Sequence, residues 1–70
     1  MEIQEIAKRK LRMLNNSTNL NDLKLPPSNK LEKLIGNLHE FYSIRVNDQY
    51  RIILKWNSSN AFEVELIDYH

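Results

Sequence analysis

Cysteine is absent from the 70-residue sequence, and glycine occurs only once. Without cysteine there is no disulfide to reinforce the fold and no thiolate to bind a metal. The same absence suits a reducing compartment, so a cytoplasmic protein is expected. One glycine, Gly36, cannot build a glycine-rich loop that cradles phosphate. Only two histidines occur, His39 and His70, so no zinc site and no other metal or cofactor is expected. No apolar run approaches the roughly 20 residues that cross a bilayer, and no signal-peptide core follows Met1, so no membrane contact is expected. Charge of one sign is lacking overall, with a net charge of +1.

The distribution of that charge is uneven. Lys8, Arg9, Lys10, Arg12, Lys24, Lys30 and Lys33 make the first half basic, whereas Glu63, Glu65 and Asp68 near the end have no cation among them. A basic half can face nucleic acid or an acidic partner, although charge runs more often coat a solvated face. Seventy residues make one small domain, which buries only about 60% of the surface its unfolded chain exposes.

What is abundant is β-forming sequence toward the C-terminus. From Phe41 to His70, two polar interruptions, Asn47-Asp48-Gln49 and Asn57-Ser58-Ser59-Asn60, separate three segments of β-branched and aromatic residues. These predict a three-strand antiparallel meander at about residues 42–46, 50–56 and 61–69. Before it, residues 2–14 predict an amphipathic helix, with Ile3, Ala7, Leu11 and Leu14 as its apolar stripe and Ile6 widening it. Residues 15–40 read as a linker, with one helical turn near Leu20–Leu23, an extended Leu25 before Pro26-Pro27, a short irregular or strand-like piece at Leu31–Leu34 and a positive φ at Gly36. The predicted class is α+β: a small twisted antiparallel sheet covered on one face by the N-terminal helix.

Strict alternation assigns Tyr42, Ile44, Val46, Tyr50, Ile52, Leu54, Trp56, Phe62, Val64 and Leu66 to the helix-covered face. It offers Arg45, Arg51, Lys55, Glu63, Glu65 and Tyr69 to solvent or a ligand. Two arginines can grip a phosphodiester by forked hydrogen bonds, and a histidine can move a proton at neutral pH with an acid to orient it. Arg45, Arg51, Asp68, Tyr69 and His70 therefore suffice for RNA cleavage in which the ribose 2′-hydroxyl attacks the adjacent phosphate. The competing reading is that the arginines pair with carboxylates across the sheet and the last residue frays.

The strings YSIRVNDQYRIILKW and VELIDYH resemble the HigB branch of the RelE/ParE-like toxins of type II toxin–antitoxin systems. The resemblance covers residues 9–70 and is dense from Leu31 onward. It implies a ribosome-dependent endoribonuclease that cleaves translated mRNA and is neutralised by a HigA-like helix-turn-helix antitoxin. By the same resemblance, Asp68, Tyr69 and His70 match the terminal catalytic motif and Arg51 matches the arginine at the scissile phosphate. Gln49 matches a polar position near the mRNA, and Arg45 a frequent cation.

Two departures accompany the resemblance. The family has a strand and a helix before the helix that opens here, so a shortened member is expected, with an uncovered edge and association into a homodimer or with an antitoxin. A functional lysine of the family aligns with Ile35, with Lys33 two residues earlier as its replacement on RNA. A degenerate relative that binds antitoxin or itself without cleaving RNA is therefore the alternative, and a ParE-like gyrase inhibitor is a third reading. Alternation also puts Tyr69 on the Arg51 face and Asp68 and His70 on the other, which requires either a bulge or a final segment that curls over the sheet end.

Overall fold

The structure is a computed structural model that describes residues 3–68. Tyr69 and His70, two of the expected catalytic residues, lie outside the described residues. One helix, α1 (Ile3–Asn16), precedes an antiparallel sheet of β1 (Glu32–Lys33), β2 (Tyr42–Arg45), β3 (Tyr50–Asn57) and β4 (Asn60–Asp68). Spatial order equals chain order, β1-β2-β3-β4. The architecture is α+β, but the sheet has four strands rather than three. The strand-like piece at Leu31–Leu34 pairs with β2, Glu32 opposite Ser43 and Lys33 opposite Tyr42.

The helix is rotated from the predicted stripe. Ile3, Ile6 and Met13 pack against the core with buried Leu14, whereas Leu11 is exposed. It also runs through Asn15 and Asn16, beyond the expected stop. Ser17 ends it, donating from its hydroxyl to the Met13 carbonyl at 2.8 Å and from its amide to Leu14 at 3.2 Å. A capping box follows at once: the Asn19 side chain accepts from the Asp22 amide, and the Asp22 carboxylate accepts from the Thr18 and Asn19 amides. Those amide hydrogen bonds hold the Asp22 pKa below the usual carboxylate value.

The segment 15–40 does more than connect. Its turn Leu20–Lys24 drives Leu23 fully into the core formed by Leu14, Ile44, Val46, Ile52 and Leu54. Each such side chain contributes about 1.5–3 kcal/mol by leaving water. Asn29 is also fully buried, donating from Nδ2 to the carbonyls of Leu23 and Leu25 at 3.2 Å and accepting at Oδ1 from the Lys10 ammonium. A buried amide with both ends satisfied fixes the loop to α1. Gly36 has φ +73, the left-handed value that most other side chains resist.

Alternation fails in β4. Lys55 is opposite Phe62 and Trp56 opposite Ala61, while Ile53 is opposite Glu65, so the register shifts between Ile53 and Lys55. Glu63 absorbs the extra residue at φ 50, a bulge that moves Phe62 to the Lys55 side. Lys55 pairs there with Glu63 at 2.9 Å and Glu40 at 3.3 Å, which raises its pKa, Glu63 more than Glu40. The helix approaches β4 without burying it: Val64 and Leu66 are 39% and 45% exposed, and Phe62, on the other face, is 41% exposed. The apolar face expected to lie wholly under the helix is therefore only partly covered at β4. Among the described residues, no helix is long and apolar enough to cross a membrane.

Candidate functional site

The end of the sheet at the β2–β3 turn gathers most of the expected residues. Arg45 and Arg51 are direct cross-strand neighbours, and Tyr50 is opposite Asp68. Two polar side chains shape the turn. Asn47 Oδ1 accepts from the amides of Gln49 at 2.9 Å and Tyr50 at 2.8 Å, and Arg45 pairs with Asp48. Gln49 then reaches across to β4 and donates from Nε2 to Asp68 Oδ2 at 3.1 Å. Gln49 and Asp68 are thus joined directly, and the chain continues from Asp68 into Tyr69 and His70. Strand pairing persists through Asp68, so the bulge lies at Glu63, far from the motif, and the last described residue has not left the sheet.

Arg51 departs from expectation. It was expected on the open face, yet it is only 7% exposed. Its Nε donates to Ser43 Oγ at 3.0 Å, and one terminal nitrogen donates to the Lys30 carbonyl at 2.6 Å and the Ser43 carbonyl at 3.4 Å. The other terminal nitrogen is 4.0 Å from Glu32. Burial of a guanidinium is tolerated because its fork is filled with acceptors. Lys30 presents that carbonyl from a left-handed backbone at φ 46. Ser43, which strand alternation puts on the same face as Arg45, is fully buried beside Arg51. Two like charges opposite each other at Arg45 and Arg51 oppose strand pairing, an arrangement that an anion would relieve.

Lys33 does not join this group. It is opposite Tyr42, three residues from Arg45 and about 10 Å away along the strand. Its ammonium instead sits 5.8 Å from the Tyr42 ring centroid. Ile35, 88% exposed, follows β1 still farther from Arg45. Lys10, on α1, is half-buried and donates to the Asn29 side chain. Burial lowers its pKa, with the charges of Arg9 and Arg45 adding to the effect. The signal for Lys10 was available in the spacing: it lies four residues after Ile6 and three before Met13, on the packed stripe.

Residues 1–70 match the family described as RelE-like toxins of type II toxin–antitoxin systems, HigB. The chain belongs to the HigB-like toxin family. It is similar to Toxin HigB-1 of Vibrio cholerae, 46% identical over 64 residues that make up 91% of this chain and 67% of that protein. It is also similar to an uncharacterized protein of Haemophilus influenzae, 44% identical over 59 residues, 84% of this chain and 58% of that protein. The chain therefore spans about three-fifths to two-thirds of the length of these relatives. In this HigB-like chain, the turn end of the sheet holds Arg45, Gln49, Arg51 and Asp68 together, and the other cation expected on RNA, Lys33, stands apart.

Proposed function

We propose that the protein is the toxin of a type II toxin–antitoxin system and cleaves translated mRNA on the ribosome at the β2–β3 end of its sheet. The observation that carries this reading is the Gln49–Asp68 hydrogen bond, which ties the turn to the strand that leads into His70. In the proposed step the 2′-oxygen bonds to phosphorus and the bond from phosphorus to the 5′-oxygen breaks. His70 takes the hydroxyl proton, Asp68 orients the imidazole, and the departing 5′-oxygen takes a proton from water. Arg45 supplies the exchangeable cation, since its pair with exposed Asp48 is a weak surface pair that a phosphate can replace. Arg51 acts as a fixed positive charge beneath the site, and Tyr69 and Gln49 contact the RNA. The partner that silences the toxin is a HigA-like helix-turn-helix antitoxin, and the place of action is the cytoplasm. Primer extension on a translated and an untranslated copy of one mRNA tests the reading: stops are expected only in the translated copy. Equal stops in both, or none, would contradict it.

A second reading has two observations in its favour, the engagement of Arg51 in the fold and an apolar residue at position 35. In that reading the chain binds antitoxin without cutting RNA. The variant Ile35→Lys separates the two. Its exposure makes the substitution harmless to packing, and an added cation that reaches RNA running past the sheet edge is expected to raise cleavage at a fixed toxin level by severalfold. An unchanged rate would assign position 35 no part in RNA contact.

The exposed apolar residues of β4 bear on association. Val64 and Leu66 on one face and Phe62 on the other are exposed on the strand at the end of the sheet, next to Glu63 and Glu65. Without its antitoxin the protein is expected to self-associate at micromolar concentration through this strand. Val64→Lys is expected to shift sedimentation toward monomer. A monomeric parent protein would contradict the expectation.

A further inference from the structure

We propose that Gln49 is a positioning residue for the cleavage step and acts through Asp68: its side-chain amide holds the Asp68 carboxylate in the orientation that the His70 imidazole uses. The proposal rests on the RNA-cleavage reading above and gives Gln49 a part in the rate as well as in RNA contact.

Two fixed points set the distance between these side chains. On the turn, Asn47 Oδ1 accepts from the Gln49 amide at 2.9 Å and the Tyr50 amide at 2.8 Å, so the backbone is tied on both sides of the Gln49 Cα. On β4, Asp68 pairs with Tyr50, in a ladder that continues through Arg51–Ile67 to Ile52–Leu66. Gln49 therefore stands one residue beyond the Tyr50–Asp68 pair. Its Nε2 reaches across the strands and donates to Asp68 Oδ2 at 3.1 Å. Turn chemistry does not call for a glutamine here. Asparagine, aspartate, glycine and serine are the residues that stabilise tight turns, and Asn47 already fills that role. The Gln49 side chain is engaged with the neighbouring strand instead.

Asp68 is exposed at the last position of β4, where a carboxylate turns through a broad torsional well. A carboxylate that orients a general base must hold one orientation, and a misplacement of about 1 Å costs up to about 10²-fold in rate. An N–H that donates to a carboxylate makes a charge-assisted bond, stronger than a neutral one. It takes one of about four acceptor positions, which leaves the carboxylate able to orient an imidazole. Between two exposed side chains the bond adds little to the fold, because water replaces it at small cost. RNA lying on the turn excludes that water, and the bond then strengthens where the reaction needs it. Gln49 keeps a second amide hydrogen and its carbonyl oxygen for RNA. Contact with RNA and placement of Asp68 are thus joined in one side chain.

The test is the kinetics of cleavage of one defined mRNA on ribosomes by the purified protein. Gln49→Ala is expected to lower kcat by about tenfold or more, with KM raised by less. A raised KM with unchanged kcat is the mark of a plain RNA contact and would overturn the proposal while leaving the RNA reading standing. In a chain that already carries Asp68→Ala, Gln49→Ala is expected to have no further effect on kcat, because its action passes through Asp68. A further loss of about tenfold there would show Gln49 acting on its own and would overturn the proposal. The contact is also read without catalysis: Asp68→Ala is expected to shift the Gln49 side-chain amide signals by NMR, and unmoved signals would overturn the proposal. A parent protein that cleaves no RNA would overturn both the proposal and the reading beneath it.

Discussion

Replacing Arg51 with alanine is expected to unfold the protein, not merely to silence it. The guanidinium is buried and joins three parts of the chain: Ser43 on β2, the Lys30 carbonyl in the loop and its own strand β3. Its removal leaves the Ser43 hydroxyl and two carbonyls short of a donor inside the fold. Each buried polar group left without its partner costs about 1–3 kcal/mol, a few kcal/mol together. A domain this small has stability near the low end of the usual range of about 5–15 kcal/mol. At about 4–8 °C per kcal/mol, the melting temperature is expected to fall by tens of degrees. Arg51→Lys keeps the charge but not the fork and is expected to fall between the two. A circular-dichroism melt reads both. A melting temperature for Arg51→Ala within a few degrees of the parent would mean that the buried contacts hold nothing together. Loss of toxicity on changing Arg51 is therefore no proof of contact with phosphate until the melt is known.

His70→Ala is expected to have the largest effect on chemistry. The sequence's other histidine, His39, lies in the loop before β2, where its Nδ1 donates to the Gly36 carbonyl 3.1 Å away. Loss of a positioned proton-transfer group lowers the rate by about 10²–10⁴-fold. Cleavage of translated mRNA should fall by that factor in the variant, and a melt run in parallel separates chemistry from folding. A rate within severalfold of the parent would remove His70 from the mechanism.

The β-rich end of the chain was legible because its residues are local and repetitive. Ile44, Val46, Ile52 and Leu54 occupy the core where alternation put them. The strand Glu32–Lys33 was harder to read, because two charged and exposed residues carry no β signature and only pairing with Ser43 and Tyr42 defines it. The bulge at Glu63 was invisible for a similar reason: a positive φ at glutamate is imposed by the sheet, not by the side chain. Phe62 consequently changed faces.

The site was legible in part. Gln49 meets Asp68, and Arg45 lies opposite Arg51, because the strand pairing follows from the turns, and the turns are written in asparagine and aspartate. The burial of Arg51 was not legible, since it depends on a loop backbone 21 residues away in sequence. Lys33 looked available by charge, but pairing sets it at Tyr42. Lys10 could have been noticed on the helix stripe, and Asn29 could not, because nothing local marks a buried amide in a proline-rich loop.

The chemistry assigned to the turn end of the sheet is tested most directly by the ends of the RNA fragments. The protein is incubated with translating ribosomes, and the termini at each cut are identified by mass spectrometry. Attack by the 2′-hydroxyl leaves a 2′,3′-cyclic phosphate on one fragment and a 5′-hydroxyl on the other. Those ends are the expected result, and they should disappear with His70→Ala. Fragments that carry a 5′-phosphate and a free 3′-hydroxyl, or no fragments from a folded protein, would contradict it.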